Sequence, residues 1–146
     1  MSVTGDFSAK SILIDCSTID VKTTKELCKT LHKEDVYMLD APVSGGVQGA
    51  KSGSLTFMIG GSKGVFKKVK FLFEYMGNRA VYCGKTGSGQ SAKICNNMIL
   101  GATMIATCES FALADKLGLD RKAMFEVVST SSGYSWSMNA YCPAPG

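Results

Sequence analysis

The strongest constraint on the fold is an alternation between two hydrophobic periods over the first 84 residues. Ser11 to Asp15 is a short β-branched run of the kind that forms a buried strand. Ser17 and Thr18 stand as candidate caps of a helix to about Lys33, with Leu27, Cys28 and Leu31 on one face. Val36 to Ala41 reads as a second strand, stopped by Pro42, and a Gly/Ser-rich loop follows from Ser44 to Ser54. Leu55 to Ile59 is a third strand. Ser62 can cap a helix whose Phe66, Val69, Leu72, Phe73 and Met76 recur at helical spacing, and Ala80 to Cys83 is a fourth strand. This order predicts part of an open α/β sheet.

The pattern then changes. Gly84, Gly87 and Gly89 make a flexible approach. From Gln90 to Leu117 there is no proline and one glycine, Gly101, until Gly118 supplies a stop. A helix of that length runs roughly 42 Å at 1.5 Å per residue. Its apolar residues, among them Ile94, Met98, Ile99, Ile105, Phe111, Leu113 and Leu117, are not confined to one stripe, which predicts a largely buried helix in need of neighbours that the 146 residues barely supply. Asp120 can cap a further helix to about Ser129, and Tyr141 to Gly146 reads as loop. Two domains are expected: an α/β unit over 1–89, and a helical unit over 90–146.

Composition excludes several classes. At 45% hydrophobic and 19% charged, the chain is globular and has material for a core. Its net charge of +4 includes a cluster at Lys63, Lys67, Lys68 and Lys70, read as the solvated face of a helix. No basic stripe is interleaved with stacking aromatics, so no nucleic-acid partner is expected. The six cysteines form no C-x-x-C pair, and most fall in apolar runs where a thiol acts as a small buried hydrophobe; a reducing compartment is expected. His32 is the only histidine and lacks a ligand cluster, so no metal is expected. Residues 1–10 carry no signal-peptide pattern. The apolar run from Ile94 to Cys108 is too short to span a bilayer, so no membrane partner is expected.

Three constellations can carry chemistry. In Asp40-Ala-Pro-Val-Ser-Gly-Gly46, the Ser44 hydroxyl and the Gly45 and Gly46 amides can cradle an anion, although a plain turn explains the same residues. Gly89, Lys93 and Asn97 are spaced by four and share one helical face. Lys93 lies among Ala92, Ile94 and Cys95 near the positive end of a helix dipole, an environment that favours a neutral amine able to exchange protons. Asn97 can orient it or hold a substrate hydroxyl, but spacing alone favours a solvated lysine on an amphipathic helix. In Cys16-Ser-Thr-Ile-Asp20 a strand leads into a helix, where nucleotides sit in α/β folds; helix capping by Ser17 or Thr18 is the alternative. No G-x-G-x-x-G follows a first strand, and Gly84-Lys-Thr-Gly-Ser-Gly89 has the wrong spacing for one.

Asp40-Ala-Pro-Val-Ser-Gly-Gly46 followed by Gly89-x-x-x-Lys93-x-x-x-Asn97 resembles the β-hydroxyacid dehydrogenase family, and the likeness extends from Ile12 onward. Ile14 to Asp20, Lys93 to Met98, Ser131 to Ser137 and Pro143 to Gly146 are similar to the subfamily that oxidises 3-hydroxyisobutyrate. The resemblance implies a fold class: the C-terminal part of a Rossmann-like sheet domain, a long interdomain helix, and the start of an all-α domain. It implies Lys93 as acid/base, Ser44, Gly45, Gly46 and Asn97 as substrate contacts with the first three on the carboxylate, and Thr18 as a contact of NAD. The implied reaction is NAD-dependent oxidation of 3-hydroxyisobutyrate to methylmalonate semialdehyde in valine breakdown, in mitochondria, by a protein that is a homo-oligomer in its full-length form. Related alternatives are a glyoxylate or succinic semialdehyde reductase, and a non-catalytic oligomerisation module. The family's pyrophosphate-binding unit and its C-terminal helices have no counterpart in the 146 residues, so the chain is expected to be an incomplete, inactive piece of such an enzyme.

Overall fold

The structure, a computed structural model, describes residues 8–143. The first seven residues and the last three, which include most of the N-terminal segment and of the Pro143-Ala-Pro-Gly146 tail, lie outside them. The chain divides into two compact units, Met1–Ile94 and Cys95–Gly146.

The first unit is built on a mixed five-stranded sheet. Strands β1 (Ile12–Asp15) and β2 (Tyr37–Asp40) are parallel, joined by helix α1 (Val21–Lys33). Pro42 interrupts the chain before the two-residue β3 (Val43–Ser44), and a short helix α2 (Gly46–Lys51) follows. Strand β4 (Leu55–Gly61) returns antiparallel to both β2 and β3, pairing Asp40 with Gly60 and Ser44 with Thr56. Helix α3 (Lys63–Met76) then leads to β5 (Gly77–Gly84), parallel to β4. The α/β expectation holds, with β4 and β5 running opposite to β1, β2 and β3. The Gly/Ser-rich loop expected from Ser44 to Ser54 instead holds β3 and α2. Pairing with β4 stabilises the former, and the latter is a six-residue turn of helix that glycine-rich sequence does not announce.

Period-two alternation sorts the strands between two faces. On one, Leu39, Ala41, Phe57 and Ile59 pack with Val65, Phe66, Val69 and Phe73 of α3, and Ile12 and Ile14 join them. On the other, Met38 and Val36 pack with Leu31, and Leu13, Leu27 and Cys28 join those. Phe73 ties the first core together, with its ring centroid 5.0 Å from Phe57 and 6.0 Å from Phe66. Leu72 and Met76, expected on that buried face, are exposed, while Val65 takes the place in the core. The four clustered lysines are exposed along α3, as expected.

Asp20 caps α1, not Ser17 or Thr18: its carboxylate accepts from the Thr23 amide at 2.8 Å. Ser62 caps α3 and Asp120 caps α5 (Arg121–Ser129), as expected. Helix α4 (Ser88–Lys116) is a single 29-residue helix, and Gly118 ends it with φ +73°. The expectation of a largely buried helix fails. Phe111 and Ala114 are buried, whereas Ile94, Met98, Ile99, Ile105, Leu113 and Leu117 are exposed, because the described residues bring few neighbours against them. By length and composition α4 is also long and apolar enough to cross a membrane, contrary to the reading of its central run as too short. The second unit adds a short helix α6 (Trp136–Ala140), with Ser137 and Met138 buried. Cys16, Cys95 and Cys108 are exposed and Cys28, Cys83 and Cys142 half-buried, so none is fully buried as expected, although Cys28 packs against the second core: apolar sequence neighbours alone do not place a residue inward.

Candidate functional site

The start of α4 is held by a buried carboxylate. Asp40, at the end of β2, is fully buried; its Oδ1 accepts from the Gly87 amide at 2.8 Å and its Oδ2 from the Gln90 amide at 3.1 Å. Two otherwise orphaned N–H groups of the helix start are thereby satisfied, and a negative charge sits at the positive end of the helix dipole. The helix can come so close because Gly89 and Gly60 lack side chains. A Cβ on Gly89 would lie 2.2 Å from the Met58 carbonyl oxygen, and one on Gly60 would lie 2.5 Å from Asp40 Oδ2. The first glycine of the Gly89-x-x-x-Lys93-x-x-x-Asn97 pattern is therefore a packing requirement.

Gln90 is also fully buried. Its Nε2 donates to the Ser17 carbonyl at 2.7 Å and its Oε1 accepts from the Ile19 amide at 3.3 Å. The loop after β1 is thus fastened to the same helical turn. Within that loop Cys16, Ser17 and Thr18 are exposed. Because Asp20 is the cap, the Thr18 hydroxyl is left without a hydrogen bond among the described residues. The Thr23 hydroxyl and amide hold the Asp20 carboxyl below its ordinary range.

Lys93 follows one turn into α4, half-buried, with no ion pair or hydrogen bond among the described residues. Asn97 is one turn further, exposed, its Oδ1 accepting from Asn96 Nδ2 at 3.3 Å. Ser44 is half-buried on β3, its hydroxyl without a partner among the described residues; Gly45 and Gly46 are exposed at the start of α2 with φ +131° and +60°. Both glycines occupy backbone conformations that side-chain-bearing residues rarely adopt. Asp40 and Ser44 pair with the same strand at Gly60 and Thr56, so the pinned helix start and the Ser44 loop stand four residues apart along β4, roughly 13 Å. A shallow groove of about 530 Å³ along β5 contains none of these residues.

Sequence reasoning passed over Asp40 and Gln90 as working residues. For Asp40 a signal exists: an aspartate inside Tyr37-Met-Leu-Asp-Ala-Pro-Val43 sits in an apolar strand and needs a partner. Gln90 occupies an unspecified position of the pattern, and nothing local marks it.

A nicotinamide dinucleotide fits what is present. The Thr18 hydroxyl, without a hydrogen bond among the described residues, lies in the loop just after the carboxyl end of a parallel strand, the edge where dinucleotides lie in α/β folds.

A sheet with helices on both faces and an open polar loop at the carboxyl end of β1 defines a dinucleotide-binding domain. The family described as the NAD binding domain of 6-phosphogluconate dehydrogenase matches residues 2–84, and that described as NAD-binding of NADP-dependent 3-hydroxyisobutyrate dehydrogenase matches residues 87–145; the chain belongs to this dehydrogenase family. It is 51% identical over 136 residues to the mitochondrial 3-hydroxyisobutyrate dehydrogenase of Mus musculus, covering 93% of this chain and 41% of that protein. Among solved structures it is similar to the Mycobacterium tuberculosis 3-hydroxyisobutyrate dehydrogenase with L-serine, with a TM-score of 0.91 at 40% identity over 95% of this chain and 48% of the other. Psf3 in complex with NADP+ and 2-OPP superposes with a TM-score of 0.82 at 28% identity, over 90% of this chain and 46% of that one. The chain thus spans less than half the length of these relatives. The match over 87–145 includes all of α4 in that family.

Proposed function

We propose that this chain supplies the acid/base and the substrate loop of an NAD-dependent dehydrogenase that oxidises 3-hydroxyisobutyrate to methylmalonate semialdehyde. The observation that carries the proposal is Lys93: a half-buried amine with no internal partner among the described residues, one turn beyond a helix start locked by Asp40 and Gly89. An amine held in that way is available to a reacting hydroxyl. Ser44 and the Gly45 and Gly46 amides hold the substrate carboxylate, and Asn97 holds its hydroxyl. Thr18 contacts the cofactor. When bound, a nicotinamide dinucleotide supplies the hydride acceptor. Lys93 takes the hydroxyl proton as the carbonyl forms.

NAD is the proposed dinucleotide, with NADP the competitor that the family description and the Psf3 complex bring forward. The mouse relative's name supports a mitochondrial location, and the mycobacterial relative shows that such proteins also occur outside mitochondria; a place in valine breakdown is proposed from the substrate alone. A homo-oligomer is proposed for the active form, with the domain boundary near residue 89. The experiment is Lys93→Ala in the active form of the protein. The kcat should fall about 10²–10⁴-fold, the range for an acid/base group, with NAD affinity nearly unchanged. Retained turnover removes Lys93 from the mechanism. Assays with 3-hydroxyisobutyrate, glyoxylate and succinic semialdehyde in parallel select among the substrates.

A further inference from the structure

We infer that Gln90 is a positioning residue, which registers the cofactor-side loop after β1 against the helix that carries Lys93. The inference rests on the reading of Lys93 and Thr18 given above. Gln90 is gripped from two directions. Its backbone N–H is held by Asp40 Oδ2, and the neighbouring Gly89 is seated against the Met58 and Asp40 carbonyls with no room for a Cβ. Its side chain reaches across 73 and 71 residues of sequence to the Ser17 carbonyl and the Ile19 amide. These are the two residues that flank Thr18. The exposed hydroxyl of Thr18 is therefore referenced directly to the first turn of α4, and Lys93 stands three residues further along that turn.

A bracket of this kind is not what packing alone would select. A buried primary amide must have its donor and its acceptor matched, and an apolar side chain of the same volume would fill the space without that requirement. The loop groups would not be stranded by such a replacement, because Ser17 is exposed and Ile19 half-buried, and water can reach them. What the amide adds is geometry. The Ser17 amide is used inside the loop, bonded to Asp15 Oδ1 at 2.9 Å, and among the described residues no other side-chain hydrogen bond ties residues 16–19 to α4. Hydride and proton transfer require the acid/base and the cofactor to stand in one register, and a misplacement of about 1 Å can cost roughly 10²-fold in rate.

The test is Gln90→Met in the active form of the protein, which keeps volume and removes both bonds. The expected result is a kcat lower by about 10–100-fold and a weaker NAD dissociation constant, with KM for the hydroxyacid within about twofold because Ser44 to Gly46 lie on β3 and α2. The Ile19 amide should exchange faster with solvent deuterium, while the thermal midpoint moves little. Should Gln90→Met fail to fold, Gln90→Glu keeps an acceptor for Ile19 and loses the donor to Ser17, and a smaller kcat loss of the same pattern is expected. An unchanged kcat with a deprotected Ile19 amide overturns the inference. So does a loss in which KM, kcat and thermal midpoint all deteriorate together. Lys93→Ala, run alongside, separates the two failures. If it is inactive while Gln90→Met is not, the bracket alone is wrong; if it keeps full turnover, the reading of Lys93 falls and this inference with it.

Discussion

Replacing Gly89 by alanine tests whether the helix junction is as tight as its geometry implies. The new Cβ would sit 2.2 Å from the Met58 carbonyl oxygen and 2.8 Å from both the Asp40 carbonyl oxygen and its Oδ2. A carbon and an oxygen in contact need about 3.3 Å, so the first turn of α4 must lift by about 1 Å away from backbone that belongs to β2 and β4. That shift stretches the Asp40 bonds to the Gly87 and Gln90 amides. Overpacking costs roughly 1–3 kcal/mol and a weakened hydrogen bond to a charged group up to about 1.5–3 kcal/mol. The better helix propensity of alanine returns about 1 kcal/mol. The net expectation is a loss of about 2–4 kcal/mol. The control is Gly101→Ala in the same helix, where a Cβ meets nothing within 4 Å and the propensity gain stands alone, a stabilisation of about 0.5–1 kcal/mol. Urea denaturation followed by circular dichroism measures both. Opposite signs are expected, and a Gly89→Ala variant as stable as the parent would refute the packing account of the motif glycine.

Three further outcomes are expected. Ser44→Ala should raise the hydroxyacid KM about tenfold or more, as for a lost hydrogen bond to a charged group, with thermal stability unchanged because the hydroxyl has no partner among the described residues. Gly45→Val should raise KM as well, but at φ +131° and 3.2 Å from Leu55 Cδ2 it also destabilises the fold, so a thermal melt separates the two effects. In the second unit, Arg121 donates to both Asp115 oxygens, and these hydrogen bonds, then the guanidinium charge, hold the Asp115 carboxyl below its usual range. A lowered carboxyl contributes stability that is complete above the ordinary aspartate pKa of about 3.9 and is lost as pH falls through the folded value. Asp115→Asn should therefore flatten the acid limb of the stability curve, a small effect for so exposed a pair, and an unchanged limb would show that the pair does not contribute.

The parts of the fold legible in the sequence are those set by local pattern. β1, β2, β4 and β5 are marked by short apolar runs, and Ser62, Asp120 and Gly118 mark helix ends through chemistry confined to one turn. What was not legible depends on partners distant in sequence. Three oxygen-bearing residues precede α1, and because the helix begins at Val21 it is Asp20, not Ser17 or Thr18, that stands at the cap. β3 is two residues long and exists because β4 pairs with it. The composition of α4 announces its length and apolarity, whereas its exposure depends on which neighbours are present. The candidate chemistry was legible as motif letters; the supports, Asp40 and Gln90, were not, because each works through a contact about 50 or more residues away.

The two motifs divide internally in the same manner. In the first, Asp40 is buried and fully committed to the helix start, while Ser44, Gly45 and Gly46 remain open. In the second, Gly89 is consumed by packing, while Lys93 has no internal partner among the described residues. Buried polar groups must be matched inside the protein, so a side chain devoted to structure is recognised by its satisfied bonds. Those left unsatisfied at an accessible edge are the ones free to bind something else. By that criterion Asp40 and Gln90, with Gly60 and Gly89 packed too tightly for a Cβ, build the junction, and Thr18, Ser44 and Lys93 are the side chains left for other partners. Changes in the first group should alter stability or alignment and changes in the second should alter chemistry, a division that the Gly89, Gln90, Ser44 and Lys93 variants test between them.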